Sequence, residues 1–241
     1  MMAQLYIHKQ AVHNYKAARV ILPILNQLFA PKSILDVGCG TGTWLKVVKD
    51  LGVVDVIGVD GDYVDRSLLF QNLAEEEFFA TDLLFPFQLD RHFDLLICLE
   101  VAEHLKQSSA DILISNLTIH SDLILFSAAI PFQGGQNHMN EQPPGYWIKK
   151  FKTHGYQVYD PIRPLVWDSP EVDVWYKQNI FLFSRKSLNL PKPVYEHLVH
   201  PDLFSIHIEQ KNKYALELER ITTGNASISY YFKLLIQSIL K

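Results

Sequence analysis

The run Asp36-Val-Gly38-Cys-Gly40-Thr-Gly42 constrains this chain more than any other segment. It follows the apolar stretch Ser33-Ile-Leu-Asp-Val and precedes Thr43-Trp-Leu-Lys-Val-Val-Lys-Asp, a helical pattern closed by Gly52, so it joins a strand to a helix. Glycines at alternating positions let the backbone turn tightly and let a ligand approach with no Cβ in the way. A nucleotide-like ligand is expected at this turn. A dinucleotide fingerprint would place its third glycine at position 43, where Thr43 stands, and the Asp36 carboxylate would repel a pyrophosphate. An acid there suits a cationic ligand instead.

The pattern around this turn predicts strands at 33–37, 54–59, up to Ala80, 93–99, 123–127, 157–159 and 179–183, with helices at 43–52, 108–117 and 146–153. Strands alternating with helices imply an α/β fold, a Rossmann-like doubly wound and mostly parallel seven-stranded sheet. Residues 11–29 place Val12, Tyr15, Ala18, Ile21, Leu22, Leu25 and Leu28 at helical spacing, bent by Pro23. The expected organisation is an N-terminal helical lid over 1–32, the sheet domain over 33–185, and a helical extension over 186–241 that begins in the polar, proline-bearing stretch 187–193. In the extension Ile228, Tyr231, Phe232, Leu235, Ile236 and Ile239 form one apolar face. That face is expected to pack within the chain, with a homodimer contact as the other option, so the state is monomer or homodimer.

Composition removes several function classes. Hydrophobic residues make up 48% and charged residues 20% of the 241, which is globular rather than disordered. A net charge of -4 with no block of like charges disfavours a nucleic-acid binder that works through a broad basic face. Cys39 and Cys98 sit in apolar runs and read as buried thiols. The start lacks a signal-peptide apolar region and no segment has the ~18 apolar residues of a membrane span, so a cytoplasmic location is expected.

Two acids follow the glycines in register. Asp60 ends the second strand, where a carboxylate can accept both hydroxyls of a ribose, and Ala80-Thr-Asp82-Leu83 closes the third, where Asp82 can meet an adenine amino group. Together these residues resemble the class I S-adenosylmethionine-dependent methyltransferases, over about 33–185. The resemblance implies that Asp36, Gly38, Gly40 and Gly42 hold the methionine part, Asp60 the ribose, and Asp82 the adenine, with Leu83 and Leu99 lining the pocket. A non-catalytic S-adenosylmethionine-binding regulator or scaffold and a nicotinamide oxidoreductase are the rival readings.

The fourth strand leads into Glu100-Val-Ala-Glu103-His104, and a glycine-rich loop over 130–144 supplies His138. If the chain turns helical after Leu99, Glu100, Glu103 and His104 share a face. Glu-x-x-Glu-His with a later His resembles the metal-dependent 2'-O-methyltransferases of small-RNA termini. That resemblance implies a divalent cation (Mg²⁺, Mn²⁺ or Zn²⁺) on Glu100, Glu103, His104 and His138; without a metal, His104, His138 and Glu100 are the catalytic candidates. The basic surroundings of an RNA site are not evident, so RNA is the alternative acceptor.

The stretch 126–142, with Tyr146-Trp147 and Trp175-Tyr-Lys-Gln-Asn179, resembles a bacterial subgroup of these enzymes associated with glycan or natural-product assembly. This implies a hydroxylated small-molecule acceptor, with Tyr146 and Trp147 as contacts. The Asn/Asp-Pro-Pro-Tyr/Phe motif of enzymes that methylate base amines is absent at Leu99-Glu100-Val-Ala, which favours transfer to oxygen. Arg163 is expected in a surface ion pair.

Overall fold

The computed structural model describes residues 14–194 and 198–239. The chain forms two compact units, Met1–Leu198 and Val199–Lys241. The first carries the sheet.

Chain order in that unit is α1 (Lys16–Phe29), β1 (Ser33–Val37), α2 (Thr43–Asp50), β2 (Asp55–Asp60), α3 (Arg66–Leu69), β3 (Phe78–Ala80), β4 (Leu95–Leu99), α4 (Ala110–His120), β5 (Leu123–Ser127), α5 (Pro144–Thr153), β6 (Gln157–Tyr159), α6 (Arg163–Val166), α7 (Val174–Asn179) and β7 (Phe181–Ser184). The seven strands lie in the order β3-β2-β1-β4-β5-β7-β6. Only β7 runs against the rest, pairing antiparallel with β5 and β6. This is the doubly wound, mostly parallel sheet expected.

Alternation along the strands feeds two cores. Ile34, Leu95, Ile97 and Leu99 point into one with Ile21, Leu22 and Leu25 of α1 and Leu45 and Val48 of α2. Leu35, Val37, Leu96 and Cys98 point into the other with Leu113, Ile114 and Leu117 of α4 and Phe151 of α5. Both faces of the sheet are thereby covered, and β1 and β4 are buried at every position.

Strand order reverses between β1 and β4, and the register pairs Asp36 with Gly58 and with Ile97. The carboxyl ends of β1, β2, β3, β4 and β5 therefore share one edge of the sheet, where open α/β folds take their ligands.

Several elements depart from the sequence reading. Strand β4 starts at Leu95, because the Asp94 carboxylate takes the amides of Lys32 (2.7 Å) and Ser33 (3.2 Å), while Phe93 makes only an isolated bridge to Ser121. Asn179 closes α7 instead of opening the last strand. Arg163 is buried, not on the surface: its guanidinium holds Asp160 in a bidentate pair, donates to the Gln178 carbonyl at 3.2 Å and lies 4.0 Å over the Phe181 ring.

The second unit consists of α8 (Pro201–Thr222) and α9 (Ile228–Ile239). Tyr230 Oη donates to Glu217 (2.6 Å) and Tyr231 Oη to the Ile221 carbonyl (2.8 Å), tying the helices together. Within this unit no residue of α9 is buried. No described helix is long and apolar enough to cross a membrane.

Candidate active site

The glycine turn has the backbone its composition demands. Gly38 and Gly42 have φ of +80° and +75°, and a Cβ on Gly38 would lie 2.3 Å from Cγ2 of Val101. Gly42 caps the start of α2. Asn72 supports the turn by donating to the Thr41 carbonyl at 2.8 Å while accepting from Tyr15 Oη, also at 2.8 Å. Sequence reasoning missed Asn72 because it sits in an unpatterned loop.

Asp60 is coupled directly to this turn. Its Oδ2 accepts the Gly40 amide at 2.8 Å, and its Oδ1 accepts the Gly61 amide at 2.6 Å and Tyr63 Oη at 2.8 Å. Asp36 is buried at the end of β1. Burial, then the nearby Asp60 charge, pushes its pKa up to about 8. Asp82 is exposed beyond β3, with Oδ1 accepting the Leu84 amide at 2.9 Å, and Leu83 is buried beside it.

After β4 the expected helical face does not form. Glu100 takes a left-handed φ of +54°, and the following turn is a 3-10 turn over Ala102–His104. This turns Glu100 toward Gln133 and Asn179, with its carboxylate still close enough to Glu103 to raise that group's pKa. Its two carboxylate oxygens accept from Asn179 Nδ2 (3.0 Å) and Gln133 Nε2 (2.9 Å), and Asn179 Nδ2 also reaches Gln133 Oε1 at 2.8 Å. Of the four candidate ligands, three lie together. Glu103, His104 and His138 bring one ligand atom each to within 4.8 Å of one another, and Glu100 lies outside the group.

The loop over 130–143 is bound to that turn. The Glu103 carbonyl accepts the amides of Met139 (2.8 Å) and Asn140 (3.1 Å), and the backbone of Asn137 and Gln136 bonds the His104 ring. The His104 and His138 rings meet edge to face with centroids 4.9 Å apart. Glu141 organises the loop, accepting the amides of Phe132 and Gly134 at 2.7 Å each and lying 2.8 Å from His138 Nδ1.

The electrostatics suit a ligand set. Burial, followed by the His138 ring, lowers the His104 pKa to about 4, so its imidazole is neutral at pH 7. Burial and then Glu100 raise the Glu103 carboxyl well above the usual range. Glu103 is wholly buried, and neither oxygen has a hydrogen-bond partner of ordinary geometry among the described residues.

Of the expected acceptor contacts, Tyr146 is half-buried with the Lys150 ammonium 4.9 Å from its ring centre. Trp147 is a core residue, packed 5.4 Å from Phe126 because α5 turns it onto the sheet, and it is only 3% exposed. The sequence reading overlooked Gln133, Glu141 and Asn179. Amide and acid side chains inside a glycine-rich loop beside His138 were the available signal for Gln133 and Glu141.

Comparison with known proteins bears on the fold. Residues 6–119 match the family model described as a methyltransferase domain. The sugar N-methyltransferase KedS8 from Streptoalloteichus sp. is similar at 13% identity and TM-score 0.57, covering 78% of this chain and 96% of its own. CalS10 from Micromonospora echinaspora, an amino pentose methyltransferase of calicheamicin biosynthesis solved with S-adenosylmethionine bound, is similar at 14% identity and TM-score 0.54, covering 77% and 100%. The methyltransferase domain of a bacterial Hen1 protein is similar at 18% identity and TM-score 0.50, covering 71% and 100%. No curated protein matches the chain. Over the segment that matches the family model and in the order of its sheet, the chain is similar to the S-adenosylmethionine-dependent methyltransferases.

Proposed function

We propose that the protein transfers the methyl group of S-adenosylmethionine to a hydroxyl of a small, polyhydroxylated acceptor, a sugar, glycan or natural product, with a divalent cation at Glu103, His104 and His138. The observation that carries this reading is Glu103, a wholly buried carboxyl beside the Glu100 carboxylate and two imidazoles. A buried acid beside a second carboxylate is costly, and a cation would offset that cost. The donor set, one carboxylate and two imidazoles, suits Mn²⁺ or Zn²⁺ and accommodates Mg²⁺.

Asp36 and the glycine turn receive the methionine part, Asp60 the ribose, and Asp82 with Leu83 the adenine; Leu99 closes the end of β4. When bound, the cation supplies Lewis acidity that lowers the pKa of the acceptor hydroxyl. Glu141 fixes His138 through Nδ1 and leaves Nε2 to face a metal or a proton. Glu100, held by two carboxamides, is the second group able to take the hydroxyl proton. Tyr146 is an acceptor contact in this scheme.

The net charge of -4 argues against an RNA acceptor. An ionisable cluster beside the cofactor turn favours an enzyme over a sensor. Calorimetric titration with Mn²⁺ tests the metal site: wild type binds near one equivalent, and His104→Ala and His138→Ala lose it. Failure of Mn²⁺, Mg²⁺ and Zn²⁺ alike to bind wild type would remove the cation from the scheme. Titration with S-adenosylhomocysteine, NAD and NADP tests the cofactor, and binding of a dinucleotide alone would overturn the whole reading.

A further inference from the structure

Tyr63 lies three residues past Asp60, and its side chain folds back over the chain. The ring covers Gly61, where a Cβ would fall 2.0 Å from Tyr63 Cε1. The acid beneath is 4% exposed, whereas Tyr63 itself is 51% exposed, so an open phenol caps a buried carboxylate. A carboxylate offers about four lone-pair positions. Gly40, Gly61 and Tyr63 already use three at Asp60, two of them on Oδ1. A ribose diol donates two hydrogen bonds, and one position remains. The Gly40 and Gly61 amides are backbone groups that hold the turn, while Tyr63 is a half-exposed side chain.

We propose that Tyr63 holds the ribose position on Asp60 in the cofactor-free protein and must leave it for S-adenosylmethionine to bind, so that this one phenol sets cofactor affinity. The proposal rests on the reading of Asp60 as the ribose-binding acid. A site that is open only part of the time binds with an affinity reduced by the open fraction. Tyr63 is a positioning residue here, acting through Asp60.

The test is calorimetric titration of the full chain with S-adenosylhomocysteine for wild type, Tyr63→Phe, Asp60→Asn and the double variant. Tyr63→Phe keeps the ring over Gly61 and removes only the hydroxyl; its melting temperature should match wild type, since the residue is half exposed. Binding to Tyr63→Phe should tighten by about three- to tenfold, the net scale of one ordinary hydrogen bond after exchange with water. Asp60→Asn should bind more weakly, and in that background the Phe substitution should change nothing. If Asp60→Asn weakens binding but Tyr63→Phe binds the same or more weakly, the Tyr63 inference fails alone. If Asp60→Asn binds as well as wild type, the ribose reading fails and takes the inference with it.

Discussion

Glu141 Oε1 lies 2.8 Å from Nδ1 of His138, and the same carboxylate receives the amides of Phe132 and Gly134. One acid thus shapes the loop and orients the imidazole it delivers to Glu103 and His104. Carboxylates that hold a ligating histidine in this way are worth about 10–100-fold in metal affinity. Glu141→Gln should therefore weaken Mn²⁺ binding by a factor in that range while the melting temperature of the metal-free protein shifts little. Unchanged affinity would assign Glu141 to loop structure only.

With Asp36 beside the methionine part, as proposed, cofactor binding should depend on pH. With a pKa of about 8 in the cofactor-free protein, the group carries its proton at pH 7, and a cationic methionine ammonium calls for the carboxylate. Binding of S-adenosylhomocysteine at pH 7 should release about one proton, and affinity should climb up to about tenfold per pH unit between pH 6 and 8. Calorimetry in buffers of different ionisation enthalpy measures the proton directly. An enthalpy independent of buffer would place Asp36 away from the ammonium.

The same shift acts on stability. A carboxyl whose folded pKa is raised stabilises fully below its unfolded value near 3.8, and that contribution is lost as pH rises through about 8. Cofactor-free wild type should lose stability across this window relative to Asp36→Asn, whose amide does not titrate. Urea unfolding at pH 5, 6.5 and 8 shows the difference between the two curves; parallel curves would contradict the burial of a protonated Asp36.

Gly38→Ala places a Cβ 2.3 Å from Val101 in a backbone with φ of +80°. Left-handed backbone costs about 1–2 kcal/mol and overpacking another ~1–3, so thermal unfolding should show a loss of about 2–5 kcal/mol. Adding Val101→Ala relieves the overlap but not the backbone term, so the double variant should recover only part. Complete recovery would mean that the left-handed turn is unimportant.

The glycine-turn half of the candidate site was legible because its determinants are local. Asp36, Gly38, Gly40 and Asp60 lie at strand ends that the hydrophobic pattern marks, and β1 and β2 need only pair in parallel for the Gly40 amide to reach Asp60. The acceptor half was less legible. The left-handed Glu100 has no propensity signal, so a helix was expected there and Glu100 was placed among the metal ligands. Its actual partners are 33 and 79 residues away, contacts that no periodicity encodes. Trp147 was read as a contact because an aromatic pair beside a functional loop looks exposed in sequence, yet successive helical positions face different ways: Tyr146 stays half-buried and Trp147 enters the core.

The proposed reaction is methyl transfer to oxygen with a cation at Glu103, His104 and His138. Its most direct test is the transfer of labelled methyl from S-adenosylmethionine to a panel of sugars, glycans, phenols and amines, before and after exhaustive chelation and after Mn²⁺ is restored. The expected result is label on a hydroxyl, lost on chelation, regained with Mn²⁺, and absent throughout in His138→Ala. Label on amines alone, or transfer undiminished after chelation, would contradict the account.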